Sequence, residues 1–415
     1  MRRFTTVLLL VLLATISRGF ALAAWPSAEG EIVGELKLFD RSPEFLLPWK
    51  LAFKKGETGE QAFIYKIAAS GTQLMAGGRI NLLTGEGTWR IEEARVDAAV
   101  WLALIAPQLS PALASATAQG TLTLSGEGTL RQGQAVGRLT VEWRDGVLTH
   151  ATQGWTLEGI AFEGEFAIDI AASRLVSTAP FELTVRTVTH PRFGARSVFI
   201  QAFLNEQRSL FVTAARVEIA GGEMVSDPCE VQLFPVSVDM NLHIDRVGLQ
   251  DIVLLVPAAG LAEARGRIDG VVRLKWSAAT DFQLGVGSLS LHNDEPTVVR
   301  LSPALGLLTG HVPERFDLLP AWLGPLARWI RPVNPAYADM KAIELGKADL
   351  RVKTLDVKLT PEGDERGRSA TVRLVAQPEQ AGGAVKEVTF DVNVAGPLNA
   401  VLKLGMKQNF SLETH

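Results

Sequence analysis

Residues 161–170 read AFEGEFAIDI, and this stretch decides the fold class. Small or acidic residues at the odd positions alternate there with large apolar residues or glycine at the even ones, which are Phe162, Gly164, Phe166, Ile168 and Ile170. A period of two places every large apolar side chain on one face of an extended strand and the acidic ones on the other. The stretch therefore predicts a β-strand with one dry and one wet face, which is typical of antiparallel sheets.

The same alternation recurs along the chain. It is carried by Leu122 and Leu124; Leu139, Val141 and Trp143; Phe181, Leu183 and Val185; Leu350 and Val352; Val372 and Leu374; and Val388, Phe390, Val392 and Val394. Turn-forming pairs such as Asp145-Gly146 and Gly382-Gly383 separate these segments. The chain is therefore predicted to be mainly β, an antiparallel sheet with a few short helices.

Three stretches interrupt this pattern. Residues 96–107 (VDAAVWLALIAP) and 247–257 (VGLQDIVLLVP) each predict one short helix that ends at a proline. Residues 302–342 form the longest irregular or helical region, and within them residues 318–330 (LLPAWLGPLARWI) predict two helical turns kinked by proline. Their Trp and Leu side chains would suit a membrane interface, although a cap packed against the sheet is the simpler interpretation.

The composition is that of a folded protein. The chain has 415 residues, of which 47% are hydrophobic, so it can bury the core of one large or two to three ordinary domains. This apolar fraction excludes a disordered chain, and the single Cys229 excludes a disulfide framework. A net charge of −4 gives no electrostatic reason to expect a nucleic-acid partner.

The N-terminus reads as an export signal. Arg2 and Arg3 precede an apolar run at residues 7–16, and the A-x-A sequence at 21–23 is a cleavage site, so residues 1–23 predict a signal peptide. The run is shorter than the roughly 20 residues that span a bilayer, but extension through residues 19–22 would make it an uncleaved inner-membrane anchor. Cleavage would change the net charge from −4 to −7. We therefore expect a periplasmic or envelope location.

An internal repeat organises the chain. Residues 95–107 match residues 246–257, GTLTL from Gly120 matches GVVRL from Gly270, and GRLTV from Gly137 matches GSLSL from Gly287. A repeated unit of strand, short helix and strands extends a sheet along one axis. The sections that we expect after the leader are a first β section at 24–230, a second repeat at 231–300, a helical or irregular insertion at 301–345, and C-terminal strands at 346–415.

Two blocks of the second repeat resemble a known family. Residues 215–224 (ARVEIAGGEM) lead into residues 239–253 (DMNLHIDRVGLQDIV), and Gly266-Arg-Ile-Asp-Gly270 follows. This succession of apolar strand, Gly-Gly, strand, short helix and strand resembles the YdbH family of AsmA-like, TamB-related envelope proteins. The similarity covers residues 212 to the C-terminus, with a weaker echo in the first repeat.

The resemblance implies an elongated, curled antiparallel sheet, a "taco"-like repeating β-groove that conducts phospholipids between the inner and outer membranes. It implies phospholipid acyl chains and membrane surfaces as partners, and neither an enzyme activity nor a cofactor. Under this interpretation the groove is lined by Leu122, Leu124, Leu139, Val141, Phe162, Phe166, Ile168, Ile170, Phe181, Leu183 and Val185. It also implies that a small outer-membrane lipoprotein pairs with a free sheet edge near the C-terminus, at Val388, Phe390, Val392 and Val394.

The alternation has a second explanation. The same side chains would be dry if they packed against another sheet as an ordinary sandwich core, in a structural or adhesive periplasmic protein. A sandwich covers each dry face with a second layer, whereas a groove leaves an apolar strip of more than several hundred Å² uncovered.

Constellations that carry chemistry are sparse. The six His are scattered without metal-ligand spacing, and neither a nucleophile elbow nor a phosphate-binding loop is present. Residues 292–295 (HNDE) follow a strand and read as a solvated turn, and Cys229 has no obvious base nearby. We therefore expect no catalytic residues, no metal and no cofactor.

Overall fold

The computed structural model describes residues 29–37, 46–55, 59–69, 71–109, 115–132, 134–172, 174–191, 193–233, 235–255, 260–277, 281–316, 331–379 and 383–396. The predicted signal peptide and the predicted helical turns at 318–330 lie outside these residues.

Strands dominate the described residues. They are β1 Gly30–Lys37, β2 Leu46–Lys55, β3 Glu60–Ala69, β4 Thr72–Asn81, β5 Gly87–Asp97, β6 Ala116–Gln119, β7 Thr121–Arg131, β8 Gln134–His150, β9 Trp155–Asp169, β10 Arg174–Ser177, β11 Phe181–His190, β12 Phe193–Leu204, β13 Ser209–Ile219, β14 Gly222–Ser226, β15 Cys229–Leu233, β16 Val236–Gly248, β17 Leu261–Arg265, β18 Arg267–Ser277, β19 Asp281–Leu291, β20 Thr297–Leu301, β21 Leu350–Leu359, β22 Arg368–Pro378 and β23 Val388–Ala395. They hydrogen-bond into one 23-stranded sheet whose pairs are antiparallel. The mainly β, antiparallel fold class is confirmed.

The three helices of the described residues are short: α1 Ala98–Leu109, α2 Leu249–Leu255 and α3 Pro335–Glu344. The first two lie where the sequence predicts them, although Pro107 falls inside the last turn of α1 instead of ending it. The Asn334 side chain caps the start of α3 by accepting a hydrogen bond from the Ala336 N–H at 3.0 Å.

The chain divides into two compact units. Unit 1 comprises residues 1–217 and 227–238, and unit 2 comprises residues 218–226 and 239–415. The core of unit 1 draws on β2–β5, β7–β9 and Trp101 of α1, and the core of unit 2 draws on β16–β18, β20–β22, α2 and α3. In unit 1, side chains from one face of the sheet form a contiguous buried cluster, so the sheet curls around its own apolar side.

Glycines let large aromatic rings lie flat on this face. The Trp89 indole lies across Gly128 and Gly137, and its Nε1 donates to the Val136 carbonyl at 3.3 Å. A Cβ at Gly137 would come within 2.7 Å of Trp89 Cζ2, and one at Gly78 would come within 2.6 Å of Phe63 Cζ. Alternating large and small residues therefore let these rings pack closely within the face.

The predicted repeat is visible in the backbone. In unit 1, the Ala98 N–H at the start of α1 donates to the Gly120 carbonyl at 3.0 Å. In unit 2, the Leu249 N–H at the start of α2 donates to Gly266 at 3.0 Å. Both glycines interrupt a strand with positive φ, +109° and +117°. The equivalent of Gly120 is therefore Gly266 and not Gly270. The alignment of that block by sequence was wrong by four residues, because the helix has twelve residues in the first copy and seven in the second.

Candidate functional site

Strand register places ten of the eleven predicted groove residues on one face of unit 1, and Ile170, directly after β9, packs against the core on the same side. Residues that pair across antiparallel strands share a face. Leu122 pairs with Trp143 of β8, Trp143 with Phe162 of β9, and Phe162 with Leu183 of β11. Leu183 pairs in turn with Ile200 of β12. We call Leu122, Trp143, Phe162, Leu183 and Ile200 the central row.

The other predicted residues flank the central row on the same face. Leu124 pairs with Val141, which is opposite Gly164, and Leu139 pairs with Phe166. Ile168 is opposite Gly137 and Leu175, and Val185 is opposite Ile160 and Val198. The rings of Phe162, Phe166 and Phe181 meet with centroids 5.4–6.5 Å apart. The apolar positions of five strands therefore form a single surface.

These side chains divide by burial. Six are buried: Leu124, Leu139, Phe166, Ile168, Phe181 and Val185. Five are half-buried: Leu122, Val141, Phe162, Ile170 and Leu183. All members of the central row are half-buried, whereas inward residues of β2–β5, such as Phe63, Ile80 and Trp89, are 0–3% exposed. The face is therefore filled at β2–β5 and more accessible at β7–β12.

Several members of this face were not among the predicted lining residues. Trp143 belongs to the alternating pattern but was not among the predicted lining residues, and Ile160, Leu175, Val198, Ile200 and Ala202 were not considered. The period-2 signal of β9 and β12 could have found Ile160 and Ile200. The part of β12 before Val198 could not be read as easily, because Ser197 has positive φ and the strand is irregular there.

The predicted C-terminal edge lies on β23. Val388, Phe390, Val392 and Val394 pair with Ala376, Leu374, Val372 and Ala370 of β22, so they share its apolar face. Val392 is 53% exposed and the other three are half-buried. Among the described residues, the registers place β22 on one side of β23 and give no strand on the other.

A charged cluster occupies the polar side of unit 2. His292 lies between two carboxylates, with Nδ1 2.7 Å from Asp269 Oδ2 and Nε2 3.0 Å from Asp294 Oδ2. The hydrogen bond to Asp269 has the largest effect and raises the pKa of His292. Partial burial lowers this pKa, and the hydrogen bond to Asp294 raises it further. Asp269 also accepts from the Arg246 backbone N–H at 2.8 Å. Residues 293–295 form an exposed turn, as the sequence predicts, and the half-buried His292 ties this turn to β18 through its two carboxylate partners.

Potential metal ligands meet in this cluster. Asp245, Asp269 and His292 each offer one ligand atom, and these atoms lie within 4.8 Å of one another. Both ring nitrogens of His292 already face carboxylates, and with both nitrogens protonated the ring would serve as a cationic bridge. The geometry therefore favours an ion-pair link between β18 and the turn after β19.

The architecture and this face define a class: a one-sheet antiparallel β-protein with an apolar surface that crosses several strands of unit 1. The YdbH-like family model, described as intermembrane phospholipid transport protein YdbH, matches residues 48–310. The match covers well over half of the chain, which therefore belongs to the YdbH-like family. It begins far upstream of residue 212, so the first repeat belongs to the match as fully as the second.

Family membership fixes the function at a coarse level. The family is one of phospholipid transport between membranes, which makes this chain a lipid transport protein of the cell envelope. No individual curated protein matches the chain. Within the described residues, none of the helices has both the length and the apolarity that a membrane crossing requires.

Proposed function

We propose that the apolar face of unit 1 is a groove that conducts phospholipid acyl chains between the two membranes. A CH₂ group gains about 0.8 kcal/mol on leaving water, so a sixteen-carbon chain exposed to water costs on the order of 12 kcal/mol. An apolar track replaces this single barrier with many small steps of similar energy. Such transport requires aliphatic and aromatic side chains on one face, and it requires no catalytic group and no cofactor.

The central row is the observation that carries this proposal. Its five side chains lie on β7, β8, β9, β11 and β12 and are all half-buried, so they combine an apolar character with partial access. Adjacent strands lie about 4.8 Å apart, so the row extends across about 19 Å of sheet. We assign the lipid path to this row, with Val141 and Ile170 beside it.

The buried residues of this face have a structural role beside the proposed lipid path. Leu124, Leu139, Phe166, Ile168, Phe181 and Val185 are buried and flank the half-buried row on the same face. The tightly filled face of β2–β5 favours the alternative function, a structural β-protein with a filled core, for that part of unit 1. The two functions differ in whether lipid reaches the central row.

We also propose that the edge of β23 accepts a strand from a small outer-membrane lipoprotein. The single pairing of β23 among the described residues and the exposure of Val392 support this assignment.

In-cell photocrosslinking tests the groove. A photoreactive phenylalanine analogue at Phe162 or Ile200 is expected to trap phospholipid, detected by mass spectrometry of the purified protein. Glu163 and Gln201 are the matched controls, because each is the next residue on the same strand and faces the other side of the sheet. Equal lipid adducts from Glu163 and Phe162, or none from both central-row positions, would refute the groove and leave the structural alternative.

A further inference from the structure

The loop after β20 holds two leucines in solvent. Residues 302–310 read SPALGLLTG and contain no charged side chain, and we call this segment the Leu305 loop. Leu305 is 82% exposed and Leu307 is 49% exposed, while Leu308 packs against the core of unit 2. Burial of a leucine side chain gains about 1.5–3 kcal/mol. Leu305 and Leu307 both lack much of this stabilisation, because their side chains remain exposed.

A buried carboxylate fixes the conformation of the loop. Glu344, at the end of α3, is 1% exposed. Its Oε2 accepts from the N–H groups of Leu308 at 3.1 Å and Thr309 at 3.0 Å, and its Oε1 accepts from Thr309 Oγ1 at 2.8 Å. Burial raises the pKa of Glu344, but the hydrogen bonds from Thr309, Leu308 and Gly306 outweigh it and keep the pKa below its usual value. These hydrogen bonds hold the loop in a conformation in which Leu305 and Leu307 are exposed to solvent.

Most backbone N–H groups of the loop have partners inside the protein. The N–H of Ala304 donates to the Glu344 carbonyl at 2.9 Å, that of Leu307 to Ala304 at 3.2 Å, and that of Gly310 to Gly306 at 3.0 Å. With the three N–H groups that Glu344 accepts, residues 304 and 306–310 all have partners inside the protein. Such a loop can enter an apolar medium without leaving these donors unsatisfied. It also presents few free N–H groups with which a partner protein's strand could pair.

The apex of the loop is sterically open. Gly306 has φ +82°, and a Cβ added there would meet no atom within 4 Å. Leu305 and Leu307 flank this apex, and both are exposed.

We propose that the Leu305 loop inserts Leu305 and Leu307 into the surface of a phospholipid bilayer and so docks the protein at a membrane. A protein that moves phospholipid between membranes has to meet a bilayer, and a rigid, uncharged, internally bonded loop with two outward leucines suits its interface. The proposal concerns docking and stands apart from the lipid path in unit 1.

Site-specific fluorescence tests the docking. The environment-sensitive probe NBD is attached to full-length Leu305→Cys protein in a Cys229→Ala background, and vesicles of phosphatidylethanolamine and phosphatidylglycerol are added. We expect a severalfold rise and a blue shift of the emission. Leu83→Cys is the matched control, because Leu83 is 89% exposed in the turn between β4 and β5 and is expected to give no rise.

Each outcome decides the proposal. A rise at position 305 that the added change Leu307→Ser reduces, with circular dichroism unchanged, supports insertion. No rise at position 305, or an equal rise at position 83, overturns it. A rise that needs envelope protein and does not occur with lipid vesicles assigns the loop to a protein partner and also overturns it. The lipid adducts at Phe162 are read independently, so failure of docking and failure of the groove are distinguishable.

Discussion

At the scale of single residues, unit 2 relies on ion pairs that link separate strands. His292 is the clearest case, because it joins Asp269 of β18 to Asp294 of the following turn. This link could not be predicted from the sequence, since Asp269 and His292 are 23 positions apart and only the hairpin of β18 and β19 brings them together.

The His292 link predicts a pH dependence. Its pKa is higher in the folded state than the usual 6.5, so its stabilisation is complete below about pH 6.5 and is lost as the pH rises through the raised value. We expect His292→Gln to lower the melting temperature at pH 5.5 and to lower it much less at pH 9.

The control for His292 is His311→Gln, which alters an exposed histidine after the Leu305 loop. Melting temperatures of the three proteins at both pH values provide the measurement. If His292→Gln lowers the melting temperature equally at both pH values, or more at alkaline pH, the result would contradict the cationic bridge.

At the scale of elements, the strands of unit 1 depend on glycines opposite aromatic rings. Gly137 of β8 pairs with Gly128 of β7, and Trp89 of β5 covers both. The alternation of apolar residues was readable from the sequence. The need for glycine at these positions could not be read from the sequence, because it arises only when β5, β7 and β8 come into register.

Gly137→Ala tests this packing. The added Cβ would come within 2.3 Å of the Glu127 carbonyl and 2.7 Å of Trp89 Cζ2, so we expect a loss of about 1–3 kcal/mol in stability, as for other overpacked cores. Gly194→Ala in β12 is the matched control, because its Cβ would approach only the Val188 carbonyl, at 3.9 Å. Thermal unfolding of both variants measures the difference. Equal melting temperatures would show that Trp89 and the backbone adjust freely.

At the scale of the whole molecule, the registers of the described residues pair β23 with a single neighbour, β22. Each second N–H of an edge strand points away from its neighbour and can bond another chain. This makes β23 the natural place for the proposed lipoprotein strand.

Proline at two consecutive positions of β23 tests that edge. Of Asp391→Pro and Val392→Pro, one removes an N–H directed toward β22 and the other an N–H directed away from it. We expect the variant that keeps the β22 bonds to remain nearly as stable as the parent protein yet to lose its envelope lipoprotein in a pull-down. The other variant is expected to lose stability as well. Full retention of the partner by the more stable variant would rule out strand pairing at this edge.

The sequence by itself determined the fold class, the two short helices and the side of each strand that carries apolar residues. It could do so because a period of two is a local property that needs only neighbouring residues. The tertiary structure alone decided which apolar positions form the central row, which are buried beside it, and where Glu344 and His292 find their partners. Those relations depend on register and on pairs distant in sequence, which a one-residue bulge or a shorter loop can shift without altering the local pattern.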